Sequence, residues 1–357
     1  MKPFWKRIAW ATGGYIGVVT AVIGFFAWLF PDVFKETPWQ VWVLIVVLAG
    51  LCITLLGTAL FSQLSVSDAH DLSADDKASL YEAIPGILKD AFERGDYREV
   101  IRFGEALSRP LFESGEFDVR LRIGTITEEA AAHLGAVDVQ YRTLIDSIGW
   151  SLIELGDFRA ATSRITHGKE LAIVSGDAFY EAKASRHLGA IERRKGNNGQ
   201  ALDFYKEATE AAGRIFDLHE KAAMAAGITY ATAHLEYSRQ RYDDALDAVE
   251  LAIQQFRDIE DIYRVDMALV LKADIQTALK QRDRAKDTYR SVIQSSKMNR
   301  ESVHYARAVL GLSELYTEDG KVADAARLLS GLDAEHISRM PAFHDRFRVA
   351  LAAAEGS

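Results

Sequence analysis

The chain has 357 residues, of which 49% are hydrophobic and 26% charged, with a formal net charge of -9. So acidic a chain lacks the basic surface that neutralises phosphate backbones, which argues against general nucleic-acid binding. The single cysteine, Cys52, excludes an intramolecular disulfide and a cysteine-based zinc site.

In chain order, the first feature is a pair of uncharged runs, Ile8–Phe30 and Trp39–Phe61. Each is long enough as a helix to cross a hydrocarbon core of about 30 Å. Pro31 to Pro38, with two prolines and three charges, forms a tight polar turn between them. Residues 1–61 therefore read as a membrane anchor, a transmembrane helical hairpin with spans 8–30 and 39–61. Aromatic residues crowd the span ends, among them Trp5, Trp10, Trp28, Trp39 and Trp42, where amphipathic rings favour the headgroup level. A cleaved signal peptide fits poorly, because the run is too long and a second span follows at once. Lys2, Lys6 and Arg7 precede the first span and the turn holds only Lys35. The positive-inside rule places the N-terminus, and with it the domain after the second span, in the cytoplasm, as in a bacterial inner-membrane protein. Gly13, Gly17 and Gly24 share a face of the first span, and Gly50 and Thr54 a face of the second. Small residues at this spacing permit close helix packing, within the hairpin or between copies of the chain.

Residues 62–76 are polar and acidic and read as a linker. Ser73 with Asp76 resembles a helix N-cap with its acidic partner. From residue 77 to 357 the composition favours helix throughout, and the sequence repeats. Gly95-Asp96-Tyr97, Gly156-Asp157-Phe158, Gly196-Asn197-Asn198, Arg241-Tyr242-Asp243 and Gly320-Lys321-Val322 each separate two helical patterns. Small residues recur after the turns at Ala161, Ala201, Ala245, Ala285 and Ala325, a step of about 40 that signals a helical solenoid.

Leu188-Gly189, Gly196, Ala201, Tyr205 and Ala208, then Ile148-Gly149, Gly156-Asp157-Phe158 and Ala161, resemble the tetratricopeptide (TPR) repeat pattern. Tyr242, Ala245 and Ala252, then Ala285 with Tyr289, continue it. The chain departs from the family in its longer period, which resembles that of peptide-sensing and cargo-adaptor relatives. It departs again in the wide gap between Val100 and Ala161. One extra helix, near Phe117 to Leu134, must fit there and is expected to break the register. Pro341 to Ala354, with Phe343, Phe347 and Leu351 on one face, reads as a terminal cap. The fold class is all-α: the membrane hairpin followed by an α-solenoid of TPR-like helix pairs.

The resemblance implies that the first helix of each pair lines a concave groove. In the turn-anchored register the groove receives Lys183, Arg186, Ala190 and Arg193, preceded by Asp146, Trp150 and Ile153 and followed by Tyr230, His234 and Tyr237. Trp150, Lys183, Arg186, Arg193, Tyr230, His234 and Tyr237 form a basic and aromatic set that suits an acidic or aromatic peptide or protein segment. The family's peptide-clamping asparagines have no counterpart, since the asparagines are Asn197, Asn198 and Asn299.

No phosphate-binding loop, nucleophile elbow or metal-ligand spacing occurs, and His219-Glu220 lacks the second histidine of a zinc-protease helix. No enzyme, no cofactor and no metal is expected. The sequence points to a membrane-anchored scaffold or adaptor that binds a protein or peptide partner at the cytoplasmic face. The alternative is a ligand-sensing membrane effector whose spans oligomerise and perturb the lipid bilayer. Homo-oligomers through the spans or the solenoid are compatible with either.

Overall fold

A chain that reverses direction every twenty residues needs a cheap way to stop each helix. The computed structural model describes residues 74–296, 302–334, 337 and 341–355. Its backbone enters the left-handed region at Gly95, Gly115, Gly135, Gly156, Gly176 and Gly196, a step of 20 or 21 residues. The same conformation returns at Gln240, Glu260 and Lys280, and again at Gly320. At these positions the following amide reaches back five residues, as in Asp157 N to Leu152 O at 3.0 Å and Gln281 N to Gln276 O at 2.8 Å. That bond satisfies a carbonyl the helix end would otherwise orphan. The next helix is often started by a capping carboxylate: Asp157, Asp177, Asp217 and Asp261 each accept a hydrogen bond from the backbone amide three residues on.

The resulting helices are α1 (Ala74–Glu93), α2 (Tyr97–Ser114), α3 (Phe117–Leu134) and α4 (Val137–Arg142). A π-helical stretch, Thr143–Trp150, joins α4 to α5 (Ser151–Glu154) in one continuous rod. Then come α6 (Phe158–Ser175), α7 (Ala178–Arg194), α8 (Asn198–Gly213), α9 (Leu218–Ser238) and α10 (Tyr242–Asp258). The array ends with α11 (Ile262–Ala278), α12 (Arg282–Ser295), α13 (Val303–Glu318), α14 (Val322–Leu329) and α15 (Pro341–Glu355). Among the described residues there is no strand. Each helix packs on its sequence neighbours, and alternate helices touch as well, as α7 does α9 and α11 does α13. This is an α-solenoid.

Small residues set the helix approach. Ala161, Ala201, Ala245, Ala285 and Ala325 are fully buried. A side chain at Gly189 would collide with the Tyr205 ring, and one at Gly311 with Tyr289. Both tyrosines are 2% exposed, so each ring fills the hollow that its glycine leaves.

The extra helix is α3. It is one complete segment with its own glycine stop at Gly135, so the step between stops continues unbroken through it. The expected break in register is therefore corrected to a change of pairing: α3 packs against both α2 and the α4–α5 rod. The first helix begins at Ala74, inside the stretch assigned to the linker. Among the described residues no helix is long and apolar enough to cross a membrane. The expected spans 8–30 and 39–61, with Gly13, Gly17, Gly24, Gly50 and Thr54, lie outside the described residues.

The array curls until its two ends meet. Phe117 of α3 shares a hydrophobic cluster with Val303 and Leu310 of α13 and with Phe343 and Phe347 of α15. Phe112 of α2 lies against Tyr263 of α11, with ring centroids 5.8 Å apart. The helix that reads as a terminal cap thus also closes a ring.

Two substitution experiments test the stop and the crossing. Gln240→Gly, Glu260→Gly or Lys280→Gly relieves a left-handed side-chain residue and should raise stability by about 1 kcal/mol each. Gly189→Ala should lower it by about 1–3 kcal/mol, because the buried Tyr205 ring has nowhere to move. Urea midpoints on the full chain in detergent read both.

Candidate functional site

Closing the ring leaves a cavity of about 670 Å³ inside it. Its wall takes residues from α2, α3, the π-helical stretch, α7, α9, α11, α13 and α15, so both ends of the array contribute. A cavity of this size suits a small molecule or a short chain segment.

The longest side of the wall is α7. Lys183, Arg186, Ala190 and Arg193 all face the cavity, as do Trp150 from the π-helical stretch and Tyr230 and His234 from α9. Six of the seven residues expected in a binding groove therefore stand around one space. Tyr237 does not. It sits at the end of α9, where its ring packs on Tyr242 across the turn at 5.8 Å. Ile153 is also absent from the wall, because it is fully buried in the core between α5, α6 and α7.

Charge divides these residues into two classes. Lys183 donates to Asp146 at 2.6 Å and lies over the Tyr180 ring at 4.9 Å, so its charge is already matched. Burial works against the Asp146 carboxylate, but Lys183, with Arg120 nearby, holds it below the usual carboxylate range. Arg194 pairs with Glu154, Arg109 with Glu113 at 2.7 Å and Arg264 with Asp261 at 3.4 Å. Arg186 and Arg193 have no carboxylate within ion-pair distance among the described residues. Arg186 bonds His187 Nε2 at 3.0 Å, Arg193 bonds Ser238 Oγ at 3.3 Å and lies against the Tyr205 hydroxyl, and the Nε of each is buried without a well-aligned hydrogen bond. Burial, and then the charge of Arg264, pushes Arg186 down to about 10, which still leaves it cationic at neutral pH. Arg307 reaches the wall from α13 and is held only loosely, 3.8 Å from Asp274.

Three histidines stand among these cations. Burial, and then the positive charge of Arg186, lowers His187 well below its ordinary value. Burial followed by Arg193 does the same to His234, whose Nε2 is 2.9 Å from the Tyr230 hydroxyl. His304 is 5% exposed, packs on Tyr263 at 4.5 Å, and has neither ring nitrogen partnered. Burial, with Arg307 beside it, pushes His304 down to about 3.

Arg120 is the keystone of the wall near α2. Its guanidinium donates to the Ser108 carbonyl and to the Asp146 carbonyl, each at 2.9 Å, tying α2 and α3 to the π-helical stretch. Burial pushes it down to about 10. Sequence reasoning missed Arg120, Phe112, Tyr263, His304, Arg307 and Phe343, all of which line the cavity. One signal would have found Arg307. Lys183, Gly227, Met267 and Arg307 each stand 13 residues before the left-handed residue that ends their helix, and all four face the cavity. Among the described residues no group of side chains is arranged to hold a metal ion.

A second surface lies on one edge of the array. Leu134, Val137, Ile173, Val174, Phe216, Leu218 and Ile262 are exposed, Phe216 at 99%. They flank the α3–α4, α6–α7, α8–α9 and α10–α11 turns, which alternate with the other turns and so fall on a single edge. Apolar residues concentrated like this are uncommon on a surface that meets only water.

No protein-family model matches the chain, and no curated protein matches it. Solved structures do. A Rap protein complexed with Competence and Sporulation Factor is 11% identical, aligned over 77% of this chain and 82% of its own, with a TM-score of 0.53. A STAND signal-transduction ATPase with a tetratricopeptide repeat sensor, from Pyrococcus horikoshii, is 13% identical over 79% of this chain and 43% of its own, with a TM-score of 0.52. A tetratricopeptide repeat protein from Parabacteroides merdae is 15% identical over 77% of this chain and 98% of its own, with a TM-score of 0.45. At such identities the first two likenesses show the fold: a TPR-like α-solenoid.

The neutral histidines set a pH dependence. Their unfolded-state values lie near about 6.5, so below that pH the unfolded chain binds protons that the folded chain refuses. Stability is complete above that value and falls as the pH drops, by up to about 1.4 kcal/mol per pH unit for each histidine. Urea midpoints between pH 7.5 and 5 should show this slope, and His304→Phe should reduce it by about a third.

Proposed function

We propose that the chain is a membrane-tethered, TPR-like interaction scaffold that receives an acidic segment of a protein or peptide partner inside its cavity. The observation that carries this reading is the pair Arg186 and Arg193. Two guanidinium groups with buried, unpartnered Nε atoms face a cavity and, among the described residues, have no carboxylate within ion-pair distance. Buried charge without a partner is costly, and an acidic group from outside satisfies it. Trp150, Tyr230 and Tyr263 offer the aromatic surface that anchors a segment once its charge is held. The Rap structure, with its factor bound, is a precedent for occupancy of a solenoid of this fold. The runs Ile8–Phe30 and Trp39–Phe61 supply the tether, with the soluble array on the cytoplasmic face. The chain's role is binding, without catalysis.

A second reading, a ligand-sensing membrane effector, is favoured by one feature. Because both ends of the array form the cavity wall, an occupant that spans the cavity touches both ends and biases ring closure. Ligand-dependent leakage from liposomes carrying the full chain would support it, and leakage indifferent to ligand would remove it.

Two measurements test the main reading. The full chain should stay with the membrane pellet after an alkaline carbonate wash, while a chain beginning at Ser73 should be released. Affinity capture from detergent should recover a partner that binds Arg193→Gln at least about tenfold more weakly, with helicity unchanged. Glutamine is chosen because a buried glutamate would threaten the fold. Equal capture by the variant would overturn the assignment.

A further inference from the structure

Three arginines, Arg186, Arg193 and Arg307, face the same cavity. Tyr230 and His234, joined by their 2.9 Å hydrogen bond, sit on the α9 wall. Arg186 and Arg193 approach from α7, two helical turns or about 10 Å apart along its axis. Arg307 approaches from α13 across the ring, 3.8 Å from Asp274, and Glu154 also faces the cavity. The Arg186 guanidinium runs beside Gly227 of α9, where an added Cβ would meet its Nε in ordinary van der Waals contact at 3.5 Å. Next to Arg307, His304 offers two buried, unpartnered ring nitrogens, one able to donate and one to accept.

The cation supply exceeds what a carboxylate needs. A carboxylate carries one charge and is satisfied by a single bidentate arginine. Here, among the described residues, two arginines have no carboxylate within ion-pair distance, a third is held at 3.8 Å, and the uncharged His304 stands beside that third one. A phosphate monoester presents nearly two charges and three strong acceptor oxygens, enough to engage several guanidinium groups at once. The rings of Trp150 and Tyr263 on the same wall give a planar group somewhere to lie.

We propose that the cavity is a phosphate-monoester site, formed by Arg186, Arg193, Arg307 and His304 around the Tyr230–His234 pair, for an ester whose other end is aromatic. This rests on the cavity being the binding site and adds the chemistry of its ligand. Two sources present that chemistry: a free aromatic phosphoester of nucleotide size, or a phosphorylated tyrosine on a partner segment.

The test uses the full chain in detergent and four probes: adenosine monophosphate, a phosphotyrosyl peptide, the same peptide with glutamate in place of phosphotyrosine, and citrate. Calorimetry should show saturable binding of at least one phosphate probe, at least tenfold tighter than the glutamate peptide and citrate. Binding of adenosine monophosphate identifies a free ligand, and binding of the phosphotyrosyl peptide alone identifies a partner-borne one. Arg193→Gln and Arg307→Gln should each weaken the preferred probe at least tenfold. Because a variant can lose binding by misfolding, the wild-type chain supplies an independent readout. The phosphorus resonance of the bound probe should titrate at lower pH than the free probe's value of about 6, because surrounding cations favour the dianion. The inference is overturned if no phosphate probe binds, if citrate or the glutamate peptide binds as tightly, or if the arginine variants bind like wild type. Arginine-dependent capture of an unphosphorylated acidic partner with no response to phosphate leaves the cavity as the site and removes the phosphate assignment.

Discussion

Close helix crossing is the constraint from which the rest of this molecule follows. Antiparallel helices joined by short turns can approach only where a small residue stands opposite a larger one. Gly189 under Tyr205 and Gly311 under Tyr289 repeat that arrangement at distant points of the array. Because each helix is stopped after nearly the same number of residues, every crossing adds a similar rotation. The rotations accumulate until Phe112 meets Tyr263 and Phe117 meets the residues of α13 and α15. The cavity is the space those rotations enclose.

That enclosure changes the electrostatics of the side chains on the inner wall. On an open groove Lys183, Arg186 and Arg193 would be a solvated stripe of modest energetic consequence. Inside a ring they are partly removed from water, and each needs a specific counterpart. Asp146 supplies one for Lys183. The carbonyls of Ser108 and Asp146 supply one for Arg120, the latter from the π-helical stretch, a local irregularity of the sort often found at functional positions. Arg186 and Arg193 are left over, and this difference between matched and unmatched cations distinguishes structural from functional charge in the wall.

Much of the fold was legible in the sequence because its signals are local. The turn glycines, the buried alanines and the aromatic that fills each hollow recur at a fixed step, and the helix near 117–134 followed from a gap in that step. The turns at Glu260 and Lys280 were harder to see, because an ordinary side chain holds the left-handed conformation there. The α7 wall was also legible, since the cavity face of a helix follows from its distance to the next turn. Phe112, Tyr263, His304 and Phe343 were not. They come together only because the array closes, and closure depends on a sum of small rotations that no short window contains. Tyr237 failed for the opposite reason: its spacing was right, but it lies so near the end of α9 that the neighbouring turn claims its ring.

Ring closure has a mechanical consequence. An open solenoid stretches and recoils like a spring, and damage at one end is felt weakly at the other. A hoop has no free end, so strain introduced at any segment is shared around the circumference. The contacts of Phe112 with Tyr263 and of Phe117 with residues of α13 and α15 are together the clasp of that hoop. While it holds, the helices from α2 to α15 respond as one elastic body; when it opens, the same helices become a linear spring whose far turns move freely.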